Sequence, residues 1–189
     1  RVMVNMTRTK ADMLDPMQAA DAECRLREDV HRFVALLKKH IPDFKDAYLI
    51  STAMQTGVRE TRHVKGVHVL TGEEYVNGVC FEDAIGRGAH PVDIHAAGDT
   101  SQKVIFLKEA AYIPYRSLIV EGFDNLLVAG RCFSADQVAS ASVRVQASIM
   151  GLGQAAGCAA AKCAADGVSV HMVDVSGVRD VLRGWGAVI

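Results

Sequence analysis

The sequence predicts an α/β fold, with strands and helices mixed less regularly (α+β) over the first part of the chain. Three observations carry this. Apolar residues recur at helical spacing between positions 26 and 41. Short β-branched runs bounded by Gly and Pro fill the middle of the chain. From about residue 119 the order reads strand, long helix, strand, short helix. The 189 residues are half apolar and carry a formal net charge of −1. That suits a packed globular chain, and it lacks the basic face that nucleic-acid binding needs.

The elements follow in order. "RVMVNMTRT" is β-branched and apolar and reads as extended, like the inside of a strand. It suggests a piece of a longer protein. Asp15-Pro16 is a helix start, with Asp as N-cap and Pro in the first turn. Leu26, Val30, Phe33, Val34, Leu37 and Ile41 then mark one face of an amphipathic helix ending near Pro42. "AYLISTAMQTGVRETRHVKGVHVL" predicts one or two strands kinked near Gly57. Thr71 and Glu74 form a capping-box pattern, so a short helix is expected over "YVNGVCFEDAIGRG". "AHPVDIHAAGD" reads as a loop. "KVIFL" and "AYIPYRSLIV" read as strands, the second broken by Pro114. "FDNLLVAG" is a turn feeding a buried strand. A long helix is expected over 142–165. "GVSVHMVDVS" reads as extended, and Ser176 is placed to cap a short helix ending at Gly184. A division near residue 118 separates the two halves of this order.

Five cysteines stand at positions 24, 80, 132, 158 and 163, with no C-x-x-C pair. Reduced thiols in a reducing, cytoplasmic compartment are expected rather than a disulfide framework, a zinc site or an iron–sulfur cluster. No run is long and apolar enough for a membrane span, so no membrane partner is expected.

The chemistry concentrates around "NLLVAGR" and the segment after it. A strand ending in Gly suits the carboxyl edge of a parallel sheet, where ligands bind in open α/β folds. Gly130 lets a ligand approach the backbone, and Arg131 adds a cation with several donors. An ordinary turn explains the same residues. The helix beginning around Arg144, Val145 and Gln146 presents N–H groups and the positive end of its dipole, suited to an anion or to carbonyl oxygens. Gly151, Gly153 and Gly157 leave that helix nearly bare. Each glycine costs about 1 kcal/mol against alanine. Close packing is therefore expected to offset the later ones, while the first turn faces a ligand. "GLGQAAG" is one residue too long for a dinucleotide fingerprint and lies inside a helix, so the chain carries no phosphate-binding Rossmann motif of its own.

The stretch "YIPYRSLIVEGFDNLLVAGRCFSADQVASASVRVQASIMGLGQAAGCAAA" closely resembles the C-terminal segment of FAD-dependent oxidoreductases in the broad fumarate reductase-like, glutathione reductase-type flavoprotein group. "RVMVNMTR", "TAMQTGVRETRHVKGVHVLTGEEY", "FEDAIGRGAHPVDIH" and "WGAV" resemble the same family. The resemblance covers almost the whole chain. It implies the C-terminal part of a two-domain FAD-binding fold: residues 1–118 as a substrate-domain segment and 119–189 as the C-terminal segment of the FAD-binding domain. It implies FAD as cofactor, with Gly130 and Arg131 at a strand end and Arg144, Val145 and Gln146 at a helix start beside the flavin. The N-terminal nucleotide-binding part of the same protein would be a partner, because the Gly-x-Gly-x-x-Gly half is missing. The chain alone is expected to be inactive. Arg131 stands where many related flavoproteins have an acidic residue, and it cannot accept a ribityl hydrogen bond.

Candidates for the reaction lie upstream. Arg59 and Arg62 can clamp a carboxylate or other polar group of a small-molecule substrate and stabilise negative charge, or can serve as surface ion pairs. His90, Asp93 and His95 can form an acid/base set, a metal site or a structural loop; His95 is the preferred acid/base residue and no metal is assigned. Tyr112, Tyr115 and Arg116 can line a pocket, although strand tyrosines are commonly core. Cys132 reads as an inert thiol. The first expectation is hydride transfer between a small organic substrate and flavin. A non-catalytic binding or assembly module, and a metal-dependent hydrolase using His90, Asp93 and His95, stand beside it.

Overall fold

A computed structural model describes residues 1–95 and 102–189; the side chains of His95 and Gln102 also lie outside the description. The chain divides into two compact units, Arg1–Thr61 and Arg62–Ile189. It is a mixed α/β structure of five α-helices and two small antiparallel sheets among the described residues.

The first unit is built on α1, Pro16–His40. Its start is as expected: Asp15 accepts a hydrogen bond from the Met17 N–H at 2.9 Å, and Pro16 needs no partner in the first turn. Lys38, Lys39 and His40 complement the dipole at the other end. Of the whole helix only Ala22 is buried. A short 3-10 turn follows at Pro42–Phe44. Residues 48–61 form no strand, contrary to the sequence expectation, and residues 1–12 likewise have no ladder partner. β-branched composition supplies the extended tendency, but a strand exists only when a neighbour takes its N–H and C=O groups. Here side chains of α1 take some of them. Glu23 accepts from the Thr56 N–H at 2.7 Å and from the Thr56 hydroxyl. Arg27 reaches the carbonyls of Ala53 and Met54 and the Thr52 hydroxyl.

The second unit holds the larger core. Its short helix α2 is Gly72–Val76, with the capping box of Thr71 and Glu74 formed as the sequence indicates. The helix stops there, and the residues expected to continue it form β1, Ala84–Gly88. β2 is Val92–His95, where the sequence suggests a loop. Pro91 stands just before the strand and does not prevent it, and Val92 at its start is buried. β3, Gln102–Ile105, pairs antiparallel with β2. β4, Ala111–Pro114, pairs antiparallel with β1 and ends at its proline, where a 3-10 turn Tyr115–Ser117 takes over.

"NLLVAG" does not become a parallel strand among the described residues. It makes one antiparallel bridge, Leu127 to Ile119, and Leu126 is exposed. A buried parallel strand needs neighbours on both sides. The expected single helix is two: α3, Gln137–Val143, and α4, Gln146–Asp166. The expected start at 142 falls in the last turn of α3, because Val145 leaves the helical region (φ −65, ψ 147) and breaks the run. α5 is Val175–Gly184; Asp174, not Ser176, occupies its N-cap, and residues 168–173 form no strand, with a turn at 170–172.

Leu70, Tyr75, Ile85, Ile113, Tyr115, Phe133, Leu152 and Leu182 fill the core. α4 packs on β1 and α5, α3 on β2, and α2 on α3. The buried face of α4 is Leu152, Ala155, Ala159 and Cys163. That face lies close to β1: a Cβ at Gly86 would stand 3.5 Å from Leu152, an ordinary van der Waals contact. Among the described residues no helix is long and apolar enough to cross a membrane.

Candidate functional site

The site centres on the turn at residues 130–133. Gly130 has φ +102, a left-handed conformation that glycine tolerates and side-chain-bearing residues resist. The turn closes through Phe133 N–H to the Gly130 carbonyl at 3.3 Å. Arg131 and Cys132 are exposed while the Phe133 ring is fully buried, so the core fixes one end of the turn and solvent meets the other.

Residues 62–66 run beside it. Val64 donates to the Cys132 carbonyl at 2.9 Å, Gly66 donates to Ser134 Oγ at 3.0 Å, and His63 Nδ1 lies 3.0 Å from the Phe133 carbonyl. The fold therefore brings the Arg62 and Arg131 backbones onto adjacent segments. The sequence expectation pairs Arg62 with Arg59. Arg59 is exposed in the first unit, whereas Arg62 is exposed in the second. His63 was missed: it is half-buried, and only a tertiary contact across 70 positions reveals its partner.

Asp136 ties the next segment down. One carboxylate oxygen accepts from Gly72 N–H at 2.7 Å, opening α2, and the other from Ala139 N–H at 2.8 Å, opening α3. Arg144 is the C-cap of α3 and Val145 the N-cap of α4. Val145 supplies no side-chain cap and its own N–H donates to the Ser142 carbonyl at 3.5 Å, so the first turn of a 21-residue helix begins without a capping side chain at its N-cap. Gln146 and Ala147 are exposed there.

The glycines of α4 correct one expectation. A Cβ on Gly151, Gly153 or Gly157 would meet nothing within 4 Å, so no close packing offsets them among the described residues. Gly153, Gln154, Gly157, Ala160 and Ala161 are exposed on a helix whose opposite face carries the core. The bareness thus faces outward.

The β2 region is less informative. His90 is exposed, and its Nδ1 lies 2.6 Å from the Pro91 carbonyl. Asp93 is half-buried in β2, and the His95 side chain lies outside the described residues. No group of three or more His, Cys, Asp or Glu comes together to hold a metal among the described residues. All five cysteines are free, with Cys132 exposed and Cys163 buried. Burial pushes the Cys163 thiol and the Tyr75 and Tyr115 phenols upward. Tyr115 donates to the Val170 carbonyl at 2.9 Å and is core rather than pocket lining. Tyr112 lies under the Arg87 guanidinium, 4.5 Å from its ring centre, and Arg116 pairs with Asp83 at 2.9 Å.

These features can take an anion or the carbonyl oxygens of a group such as a flavin. The uncapped α4 start offers N–H donors to carbonyl oxygens, the exposed side of the helix is bare at Gly153 and Gly157 although Met150 and Gln154 also stand on exposed positions, and Gly130 leaves backbone approachable. Residues able to hold such a group are Gly130, Arg131, Arg144, Val145 and Gln146. No curated protein and no solved structure matches this chain. A family model described as FAD dependent oxidoreductase matches residues 1–182. The match spans nearly the entire sequence, and the chain belongs to the FAD-dependent oxidoreductase family, with FAD as its cofactor and an oxidoreductase role.

Proposed function

We propose that this chain is the C-terminal portion of a flavoenzyme of the glutathione reductase-type, fumarate reductase-like group, transferring hydride between a small organic substrate and flavin. Residues 1–118 belong to its substrate domain and 119–189 to the FAD-binding domain. The N-terminal nucleotide-binding part of the same protein completes the site, in a cytoplasmic enzyme. The observation that carries this reading is α4: an N-terminus without a side-chain cap, and exposed glycines at 153 and 157, in a chain of a family that binds FAD.

FAD supplies the two-electron chemistry. The chain's own residues bind and orient. Backbone N–H groups from Gln146 onward, behind the N-cap Val145, favour electron-rich oxygens and the negative charge that accompanies reduction. Arg144 and Arg131 add positive charge to that region, and Gly130 permits close approach of backbone. Arg59 and Arg62 each carry a guanidinium suited to a carboxylate or comparably polar group of the substrate. His95 gives or takes the proton that accompanies hydride movement.

Visible absorption after addition of FAD tests the reading. The chain joined to its N-terminal nucleotide-binding part is expected to show a bound-flavin spectrum, and the chain alone is not. Absence of flavin from both, with the joined protein folded and FAD in excess, overturns the proposal.

A further inference from the structure

We propose that His63 is a positioning residue for the turn at residues 130–133, holding Arg131 beside Arg62 through its hydrogen bond to the Phe133 carbonyl. The inference rests on the assignment of Gly130 and Arg131 to the flavin site. A carbonyl oxygen only accepts, so His63 Nδ1 carries the proton and donates it across 3.0 Å. Phe133 has a fully buried ring, and its carbonyl stands between an exposed turn and the core.

The buried Phe133 ring anchors one end of the turn, and the Gly130–Arg131 end is held less closely. The turn's own closing bond is 3.3 Å, and the residues before it form only the isolated bridge at Leu127. The Val64–Cys132 backbone bond at 2.9 Å sets the register of the two segments. The imidazole then locks the neighbouring peptide from the side. Without that lock, Arg131 is free to swing with its turn, and the positive field beside the flavin weakens.

The geometry gives an unusually sharp substitution test. Asn places an amide N–H close to where Nδ1 stands, whereas Gln carries its donor further out and Phe has none. The experiment uses the flavin-bearing protein and reads the reduced-to-oxidised flavin ratio against a reference dye, with thermal midpoint recorded alongside. His63→Phe is expected to lower that ratio by about fivefold to tenfold, the scale of one hydrogen bond. His63→Asn is expected to keep it within about twofold. If His63→Phe does not fold, His63→Gln must show the loss.

An unchanged ratio in His63→Phe, or in His63→Gln where that replaces it, overturns the inference while the flavin-site reading stands. A loss shared equally by His63→Asn also overturns it, since the donor is then not the cause. Failure of the unsubstituted protein to hold flavin overturns the flavin-site reading and this inference with it.

Discussion

The two units of this chain are stabilised in opposite ways. In Arg1–Thr61, a 25-residue helix buries one alanine, and polar side chains on that helix fasten an irregular segment. In Arg62–Ile189, short elements surround a core of large apolar side chains, and many of their ends are capped or tied. Local sequence signals can make a helix, but only buried partners make it structurally costly to lose. The contrast teaches which unit should respond to lost volume and which to lost charge.

Truncation should separate them most. Leu152→Ala in the second unit removes a fully buried side chain lying against β1. A loss of about 2–5 kcal/mol is expected from urea unfolding. Val30→Ala, at a half-buried position of α1, is expected to cost less than about 1 kcal/mol. Equal costs would break the comparison.

A smaller effect concerns capping. Asp136→Ala leaves two first-turn N–H groups without their shared acceptor and is expected to cost about 1–2 kcal/mol. Asp136→Asn keeps one acceptor oxygen and should fall between. A cost indistinguishable from zero in both variants would mean that water replaces the cap fully.

The smallest effect belongs to the first unit and depends on pH. The Thr56 hydroxyl, then the Thr56 N–H, hold the Glu23 carboxyl below its ordinary value of 4.5. A depressed acid contributes its stabilisation above the unfolded value and loses it as pH falls through the folded one. The Thr56 amide resonance should therefore titrate with a midpoint below 4.5, and Glu23→Gln should abolish that titration. A midpoint at or above the ordinary value would show that the contact does not form in solution.

Much of the local structure was legible in the sequence. Asp15-Pro16, the Thr71–Glu74 box and Pro114 act over a few residues, and each marks a real boundary. What failed needed a partner. Residues 48–61 and 126–129 have strand composition, but composition does not say which segment will lie alongside. β2 was missed because Pro91 and the polar Asp93 and His95 hid a four-residue alternation. Around the site, the bareness of α4 was visible in Gly151, Gly153 and Gly157, whereas its direction was not. The role of His63 could not be read, since nothing near it in sequence points to Phe133.

Ser142 joins elements that sequence order keeps apart. Its Oγ bonds the His90 carbonyl and lies 3.0 Å from the Tyr75 hydroxyl. A hydroxyl has one proton, so Ser142 gives its own to His90 and takes that of Tyr75. Gly88 is the clearance for this knot, because a Cβ there would stand 2.0 Å from the Tyr75 oxygen. α2, the end of α3 and the approach to β2 are thereby gathered on one side chain. They should behave as a single cooperative opening unit in hydrogen exchange, whose rate reports on all three together.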